Sequence, residues 1–373
     1  MPLDARLQQL HDLDLLLRSI PGARSSERAL PEALRREVEA LQEAHRSGVA
    51  GAALIVRSTR RALPAWRQGE SDEPGVALGT ELPLEQAQRA IARWHGFVEW
   101  SQVALHAETT VDPHFEAAID AIVDGDADAL GALLARHPPL AHARSPFAHR
   151  ATLLHHVAAN GIESNRQWQT PSNAVAIAEI LLAAGAAPDA TCVSYGAGDT
   201  VLGLLLSSAH PARAGVQADL VEALCRAGAS PDGPGDDGSP LWTAITFGYT
   251  AAAERLVRCG ARVDNLIFAA VAGDLAAVET FIDDDGRAKP TRVRSVDRAG
   301  TAGPALDPEH LVDYALIYAA GHGRLPVVEF LLTKNPSLAV KEPVFQGTAL
   351  GWAEHHDRRE VVARLRRCTA ARE

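Results

Sequence analysis

Apolar residues recur at helical spacing through the first third of the chain. Residues 4–20, 27–46 and 84–108 place them three and four positions apart, which is typical of helices with one buried face. Residues 57–83 contain several prolines and glycines, which predict a loop. Residues 1–110 are therefore predicted to form a helical N-terminal region.

Beyond residue 111, one pattern of two helices recurs. A small or polar residue opens the first helix, alanines occupy its middle, a glycine follows nine positions on, and a second apolar helix comes next. The clearest first helices are TLLHHVAANG (152–161), SPLWTAITFG (239–248), DNLIFAAVAG (264–273) and YALIYAAGHG (314–323). Weaker copies are EAAIDAIVDG (116–125), TVLGLLLSSA (200–209) and TALGWAEHHD (348–357). Because such a pair is apolar where it meets its neighbours, it buries a core only by stacking.

The second helices end in turns that contain glycine, a residue suited to the left-handed conformation after a helix. These turns are LLAAGAAPD (181–189), LCRAGASPD (224–232) and LVRCGARVD (256–264). Together with the first helices, they resemble the ankyrin repeat, whose signature is T-P-L-H-x-A followed by a second helix and Gly-Ala. The resemblance covers about residues 112–368. It implies an all-α ankyrin-repeat solenoid with about seven irregular helix-pair repeats and short β-hairpin fingers.

The predicted domain organisation is a helical cap over residues 1–110 and an ankyrin array over residues 111–373. An open end of such an array is apolar, so a cap is expected there. The spacing between units ranges from 25 to 50 residues, against about 33 for the family. The 25-residue spacing before Asp264 leaves no room for a finger. Insertions are predicted at about 162–173, 207–218 and 283–310.

Part of the cap region also resembles a helical segment found ahead of many bacterial ankyrin arrays. That segment carries the pattern AQ..IAR..GF..W. The matching residues are Ala87, Gln88, Ile91, Ala92, Arg93, Gly96, Phe97 and Trp100. Arginine and alanine are abundant and lysine occurs only three times, a bias that also favours a bacterial source.

Ankyrin repeats usually recognise another protein through a concave face, toward which the x of the signature points. From the first to the seventh unit, the signature x positions are Asp120, His156, Leu204, Thr243, Phe268, Tyr318 and Trp352. Exposed Tyr and Trp are common interface anchors, so Tyr318 and Trp352 are candidates for partner binding. The alternative is that these rings pack as core, which is favoured for Phe268 because it has no polar group. The candidate partner-binding residues are Asp120, His156, Trp168, Thr243, Tyr318 and Trp352.

A second hypothesis is an enzyme or small-molecule site. The insertions at 162–173 and 207–218 belong to adjacent units, so they are expected to meet and either form a pocket or pack on each other. In an enzyme, His156 would be the general acid or base, supported by Glu163, Arg166 and Tyr195. The adjacent His155 occupies the signature histidine position, for which the resemblance implies a structural role.

The charge and cysteine pattern exclude several other classes. The net charge of −11 argues against nucleic-acid and anionic-membrane binding, and favours a basic partner such as an effector or toxin. The four cysteines show no CxxC spacing, so neither a metal site nor a disulfide framework is expected. No signal peptide or membrane-spanning run is apparent, which predicts a cytoplasmic protein. Recognition of another protein, without a cofactor, is the first hypothesis.

Overall fold

The structure is a computed structural model that describes residues 28–57, 77–158, 170–194, 198–289, 294–296 and 302–370, together with residues 12 and 162. It divides into two compact units, Met1–Val216 and Gln217–Glu373. Helices dominate both units, and the described strands form three short two-stranded antiparallel sheets. The predicted all-α class is therefore confirmed. Within the described ranges, no helix combines the length and apolar character needed to cross a membrane.

The first unit begins with four described helices around one apolar core. They are α1 (Leu30–Arg46), α2 (Ala50–Arg57), α3 (Leu84–Trp94) and α4 (Trp100–Ala104). On α1, Leu30, Leu34, Val38 and Leu41 recur every three or four positions, and all four are buried in this core. β1 (Arg28–Ala29) pairs antiparallel with β2 (Thr110–Val111) and brings the two ends of the region together.

The helical pattern predicted for this region is confirmed where the structure describes it. The pattern at 84–108 breaks at Gly96, whose φ of +83° is left-handed, and helix resumes at Trp100. Almost all of residues 4–20 and most of residues 57–83 lie outside the described residues. The boundary predicted at residue 110 stays a prediction, since the first unit contains both the cap region and the first repeats.

Two helices follow for each of the seven predicted repeats within the described residues, and the two of the third repeat lie in different units. In chain order they are α5 (Pro113–Asp124) and α6 (Ala127–Arg136), α7 (Leu153–Val157) and α8 (Ala174–Ala183), α9 (Val201–Ser207) and α11 (Gln217–Arg226), α12 (Ser239–Thr246) and α13 (Thr250–Arg258), α14 (Leu266–Ala272) and α15 (Leu275–Thr280), α16 (Leu311–Gly321) and α17 (Leu325–Leu332), and α18 (Ala349–His355) and α19 (Arg359–Ala370). A short helix, α10 (Ala209–Arg213), lies in the second predicted insertion.

Local sequence explains where these helices begin and end. Thr152 and His155 form a capping box on α7: the Thr152 amide donates to His155 Nδ1 over 3.1 Å, and the Thr152 side chain caps the helix in return. Left-handed glycines follow second helices, as predicted, at Gly185, Gly228 and Gly260.

Two hairpins occupy finger positions. β3 (Thr191–Cys192) pairs with β4 (Asp199–Thr200), and β5 (Arg294–Val296) pairs with β6 (Ala302–Ala305) inside the third predicted insertion. Residues 259–265 connect α13 to α14 without a strand, as the short spacing predicts. The backbone of β5 lies against α12, so the long hairpin reaches a repeat that precedes the missing finger.

The fourth helix pair packs irregularly within the second unit. In a regular array each repeat contacts only its neighbours. Here Trp242 on α12 packs on Tyr318 of the sixth repeat, and Phe247 after α12 packs on Phe345 before the seventh. The fourth pair therefore contacts repeats two and three places further along the chain.

Candidate protein-binding surface

The signature x positions are mostly buried in the structure. Tyr318 is 0% exposed, Trp352 6%, Thr243 2% and His156 2%, whereas Asp120 is half-buried. Phe268 is buried, as favoured from its chemistry, and Leu204 is buried as well. For Tyr318 and Trp352, core packing is thus the alternative that the structure shows, and neither ring lines an open groove.

The burial follows from the packing of the fourth repeat. Trp242 contacts Phe268 and Tyr318 with ring centroids 5.8 Å and 5.2 Å apart, and Tyr318 contacts Trp352 at 5.3 Å. All three contacts are edge-to-face, the geometry that the ring quadrupoles favour. The Tyr318 ring, which was expected to contact a partner protein, therefore contacts Trp242 of the same chain. We call Trp242, Phe268, Tyr318 and Trp352 the aromatic row.

Two polar atoms of the aromatic row are buried without hydrogen bonds. Neither Trp242 Nε1 nor the Tyr318 hydroxyl has a partner among the described residues. Burial and the nearby Glu342 carboxylate raise the pKa of Tyr318 well above its ordinary value. Trp242 and Tyr318 consequently contribute to the row through the shape and area of their rings rather than through their polar groups.

A buried histidine fixes the fourth repeat to the sixth and seventh. His322 Nε2 donates to the Ile245 carbonyl over 3.1 Å, and the Thr250 hydroxyl donates to His322 Nδ1 over 2.9 Å. Thr250 Oγ1 also accepts from Arg358 Nη2 over 3.0 Å. Burial lowers the pKa of His322 to about 3; the Ile245 carbonyl opposes this shift and Arg324 adds to it. His322 is therefore neutral at physiological pH.

Next to Trp352, a tight loop is organised around Glu342, which is 0% exposed. Its carboxylate accepts from the backbone amides of Val344, Phe345 and Gly347 over 2.7 to 3.0 Å. It also accepts from Trp352 Nε1 over 3.3 Å. A Cβ at Gly347 would lie 2.5 Å from Trp352 Cδ1, so only glycine permits this close approach. These contacts restrain the loop.

This restrained loop presents a large apolar ring at the surface. Phe345 is 41% exposed and packs edge-to-face on Phe247 at 5.9 Å. Phe247 stacks on Tyr249 at 6.3 Å, and both rings are half-buried. Phe345 also contacts Trp352 at 6.3 Å, which connects the surface rings to the aromatic row. We call Phe247, Tyr249 and Phe345 the aromatic patch.

A neutral histidine and a cationic arginine border the aromatic patch. A Cβ at Gly248, between two rings of the patch, would overlap the His356 imidazole. Burial, together with His355 and Arg358, lowers the pKa of His356 to about 4, so His356 is neutral at physiological pH. The Arg358 guanidinium lies beside Thr250, the residue that follows Tyr249.

The predicted enzyme site is only partly described. His156 is buried, with ring centroids of Phe115 and His149 at 6.3 Å and 6.1 Å. Burial lowers the pKa of the adjacent His155 to about 4, the carbonyls of Asp199 and Ala190 offsetting part of this shift, in keeping with a structural role. Glu163, Arg166, Trp168 and Tyr195 lie outside the described residues. The enzyme hypothesis stays a prediction.

The part of the chain that the structure describes offers little basis for a metal site or a cysteine nucleophile. No group of three or more His, Cys, Asp or Glu side chains there is placed to hold a metal ion. Burial raises the pKa of the Cys192 thiol to about 12, which makes it a poor nucleophile.

The aromatic patch is absent from the residues predicted from the sequence. Its members do not occupy signature x positions: Phe247 and Tyr249 flank the turn after α12, and Phe345 lies in a finger position. One signal was available. The segment EPVFQG (342–347) places an apolar ring between turn-forming residues, where a solvent-exposed loop is expected.

Comparisons with known proteins identify no family. No protein-family model matches the chain, and no curated protein matches it. Among solved structures, the human ASB11 ankyrin repeat domain is 20% identical with a TM-score of 0.36, covering 68% of this chain and 97% of that one. The ankyrin repeat domain of Bcl-3, a unique member of the IkappaB protein family, is 19% identical with a TM-score of 0.32, covering 67% and 97%.

Proposed function

We propose that this protein is a protein-binding module that recognises its partner through the aromatic patch. The observation that carries the proposal is the exposure of Phe345 on the loop that Glu342 holds. A large apolar ring in water contributes little to folding, yet five donor–acceptor contacts to the Glu342 carboxylate restrain its loop. A rigid aromatic anchor of this kind loses little conformational freedom on binding.

The patch also has the composition of an interface centre. Phe and Tyr are enriched in interface cores, and the Tyr249 ring combines an apolar body with a polar tip. Phe345 contacts Trp352 of the buried row and Phe247 contacts Phe345, so a partner would meet a preformed surface. Binding to the aromatic row itself is not part of the proposal, because Tyr318 and Trp352 are buried.

We also propose a class of partner and a cellular location for the module. The net charge of −11 favours a basic partner overall, such as a cationic effector or toxin that the protein sequesters. Asp120, half-exposed in the first unit, is a candidate contact for such a partner. The reduced-type cysteine pattern and the arginine-rich composition support a location in a bacterial cytoplasm.

The test is a comparison of three tagged baits in a lysate of the source organism. The baits are the full-length wild type, Phe345→Ala and Phe330→Ala. Phe330 is a matched control because it is a half-buried phenylalanine of the same unit, on α17, whose ring lies 4.6 Å from Lys334 Nζ and is not among the described rings that contact the patch. Thermal denaturation of each bait shows whether the fold is retained.

We expect a protein that wild type and Phe330→Ala retain and folded Phe345→Ala loses. Retention of the same proteins by all three folded baits would contradict recognition by the aromatic patch.

A further inference from the structure

Arg358 stands out on the border of the aromatic patch because it is a half-buried cation without a carboxylate partner. Its Nε donates to the Gly321 carbonyl over 2.9 Å and its Nη2 donates to Thr250 Oγ1 over 3.0 Å. Both acceptors are neutral, and no ion pair of Arg358 exists among the described residues. The next residue, Arg359, is exposed and pairs with Asp357 at 3.2 Å.

An unpaired, partly desolvated cation favours a carboxylate ligand. Removing a charge from water costs free energy that a counter-charge can recover. Arginine fits this role because its planar fork can bind both oxygens of a carboxylate while its other N–H groups keep their bonds. Thr250 and Gly321 orient the Arg358 guanidinium, so its position is fixed before a ligand arrives.

Two carboxylates of the same unit are already engaged, that of Asp357 with Arg359 and that of Glu342 within its own loop. Glu342 is fully buried, and its oxygens already accept four different donors. Charges further than about 8–10 Å away are largely screened at physiological ionic strength. The local positive charge, rather than the negative net charge of the chain, therefore decides what binds beside the patch.

From this juxtaposition we infer that the segment of the partner that docks on the aromatic patch carries an apolar anchor next to an acidic residue. The anchor contacts Phe345 and Phe247, and the carboxylate pairs with Arg358. This inference rests on the proposed function, and it specifies the docking segment whatever the net charge of the whole partner.

The experiment selects random 12-residue peptides, displayed on phage, on the full-length protein after removal of those that bind Phe345→Ala. One selected peptide is then synthesised in its original form and with each Asp or Glu replaced by Asn or Gln. The dissociation constants of both are measured against wild type, Arg358→Gln, Arg358→Lys and Arg359→Gln at two salt concentrations. Arg359→Gln is the matched control for charge.

We expect selected peptides with Asp or Glu beside an aromatic or aliphatic residue, and a roughly tenfold or greater loss of affinity for the amide peptide. Arg358→Gln should show the same loss and little salt dependence, Arg358→Lys an intermediate loss, and Arg359→Gln wild-type affinity. Thermal denaturation identifies variants that fail to fold. If Arg358→Gln does not fold, the Arg358→Lys variant and the amide peptide still test the inference.

Two failures would be distinguishable. Peptides selected without acidic residues, or bound equally by folded Arg358→Gln, would overturn the inference and leave the aromatic patch as a binding surface. If no peptide prefers wild type to Phe345→Ala, the proposed function itself is contradicted.

Discussion

Acid is expected to destabilise the second unit through His322. The side chain is buried and neutral, with a pKa of about 3 in the folded protein against 6.5 in the unfolded chain. The folded pKa is depressed, so the unfolded chain binds the proton first as the pH falls. The stability that neutral His322 contributes is complete above pH 6.5 and is lost progressively from there toward pH 3.

The expected magnitude follows from the difference in proton binding. At pH 5 almost all unfolded chains carry a proton at this position and almost no folded chains do, whereas at pH 7 most chains of both kinds are neutral there. Integration of the linkage relation gives a loss of about 2 kcal/mol in the free energy of unfolding for this one group. His155 and His356, whose pKa values are lowered to about 4, add further acid sensitivity.

The assay isolates His322 by comparison with His322→Gln, which keeps a donor and an acceptor but cannot be protonated. Urea unfolding is followed by circular dichroism and tryptophan fluorescence at pH 7, 6 and 5, and free energies are taken where the two probes coincide. The contributions of the other histidines are common to both proteins and cancel in the difference. His142→Gln, at an exposed histidine of the first unit, is the control.

We expect the wild type to lose about 2 kcal/mol more than His322→Gln between pH 7 and pH 5. His142→Gln should follow the wild type. Parallel stability curves for wild type and His322→Gln would refute the reasoning, because they would mean that His322 is not held neutral by the packing of the fourth repeat on the sixth.

Three further predictions follow from the buried groups. Tyr318→Phe should leave the urea midpoint unchanged or raise it slightly, since the hydroxyl has no hydrogen bond among the described residues, whereas Tyr318→Ala should cost about 3–5 kcal/mol. Glu342→Gln should lower the free energy of unfolding by about 2 kcal/mol, measured in the same way, because an amide group would face backbone donors. Maleimide at pH 8 should label Cys259, which is half-buried, well before Cys192; labelling of both at one rate would contradict the assigned burial.

The fold class could be predicted from the sequence because each helix pair is specified locally. Apolar spacing, alanines and left-handed glycines such as Gly185 and Gly228 are properties of a single repeat, and they recur. Capping is also local: Thr152 and His155 stand three residues apart in the chain. Such features do not depend on how distant repeats pack, so the pattern predicts them well.

Whether the signature x positions are buried depends on contacts between distant repeats, which no local pattern specifies. The irregularity that matters is the 25-residue spacing before Asp264, which predicts a missing finger but not where the fourth pair then packs. In the structure, Trp242 fills the space against Tyr318, and His322 secures that contact through Ile245. The rule that reads an aromatic x residue as exposed assumes nearest-neighbour packing.

The packing of the fourth repeat also explains the position of the aromatic patch. Once repeat four covers the aromatic row, the rings left at the surface are those at the edge of that contact: Phe247 and Tyr249, which flank its turn, and Phe345, which meets Phe247 from a finger position. The same contact brings Arg358 to Thr250, where its charge has no carboxylate partner among the described residues. If packing of the fourth repeat generates both the aromatic patch and its cation, then Trp242→Ala should weaken peptide binding although Trp242 is buried. Unchanged peptide affinity in a folded Trp242→Ala variant would show that the patch is independent of the irregular contact.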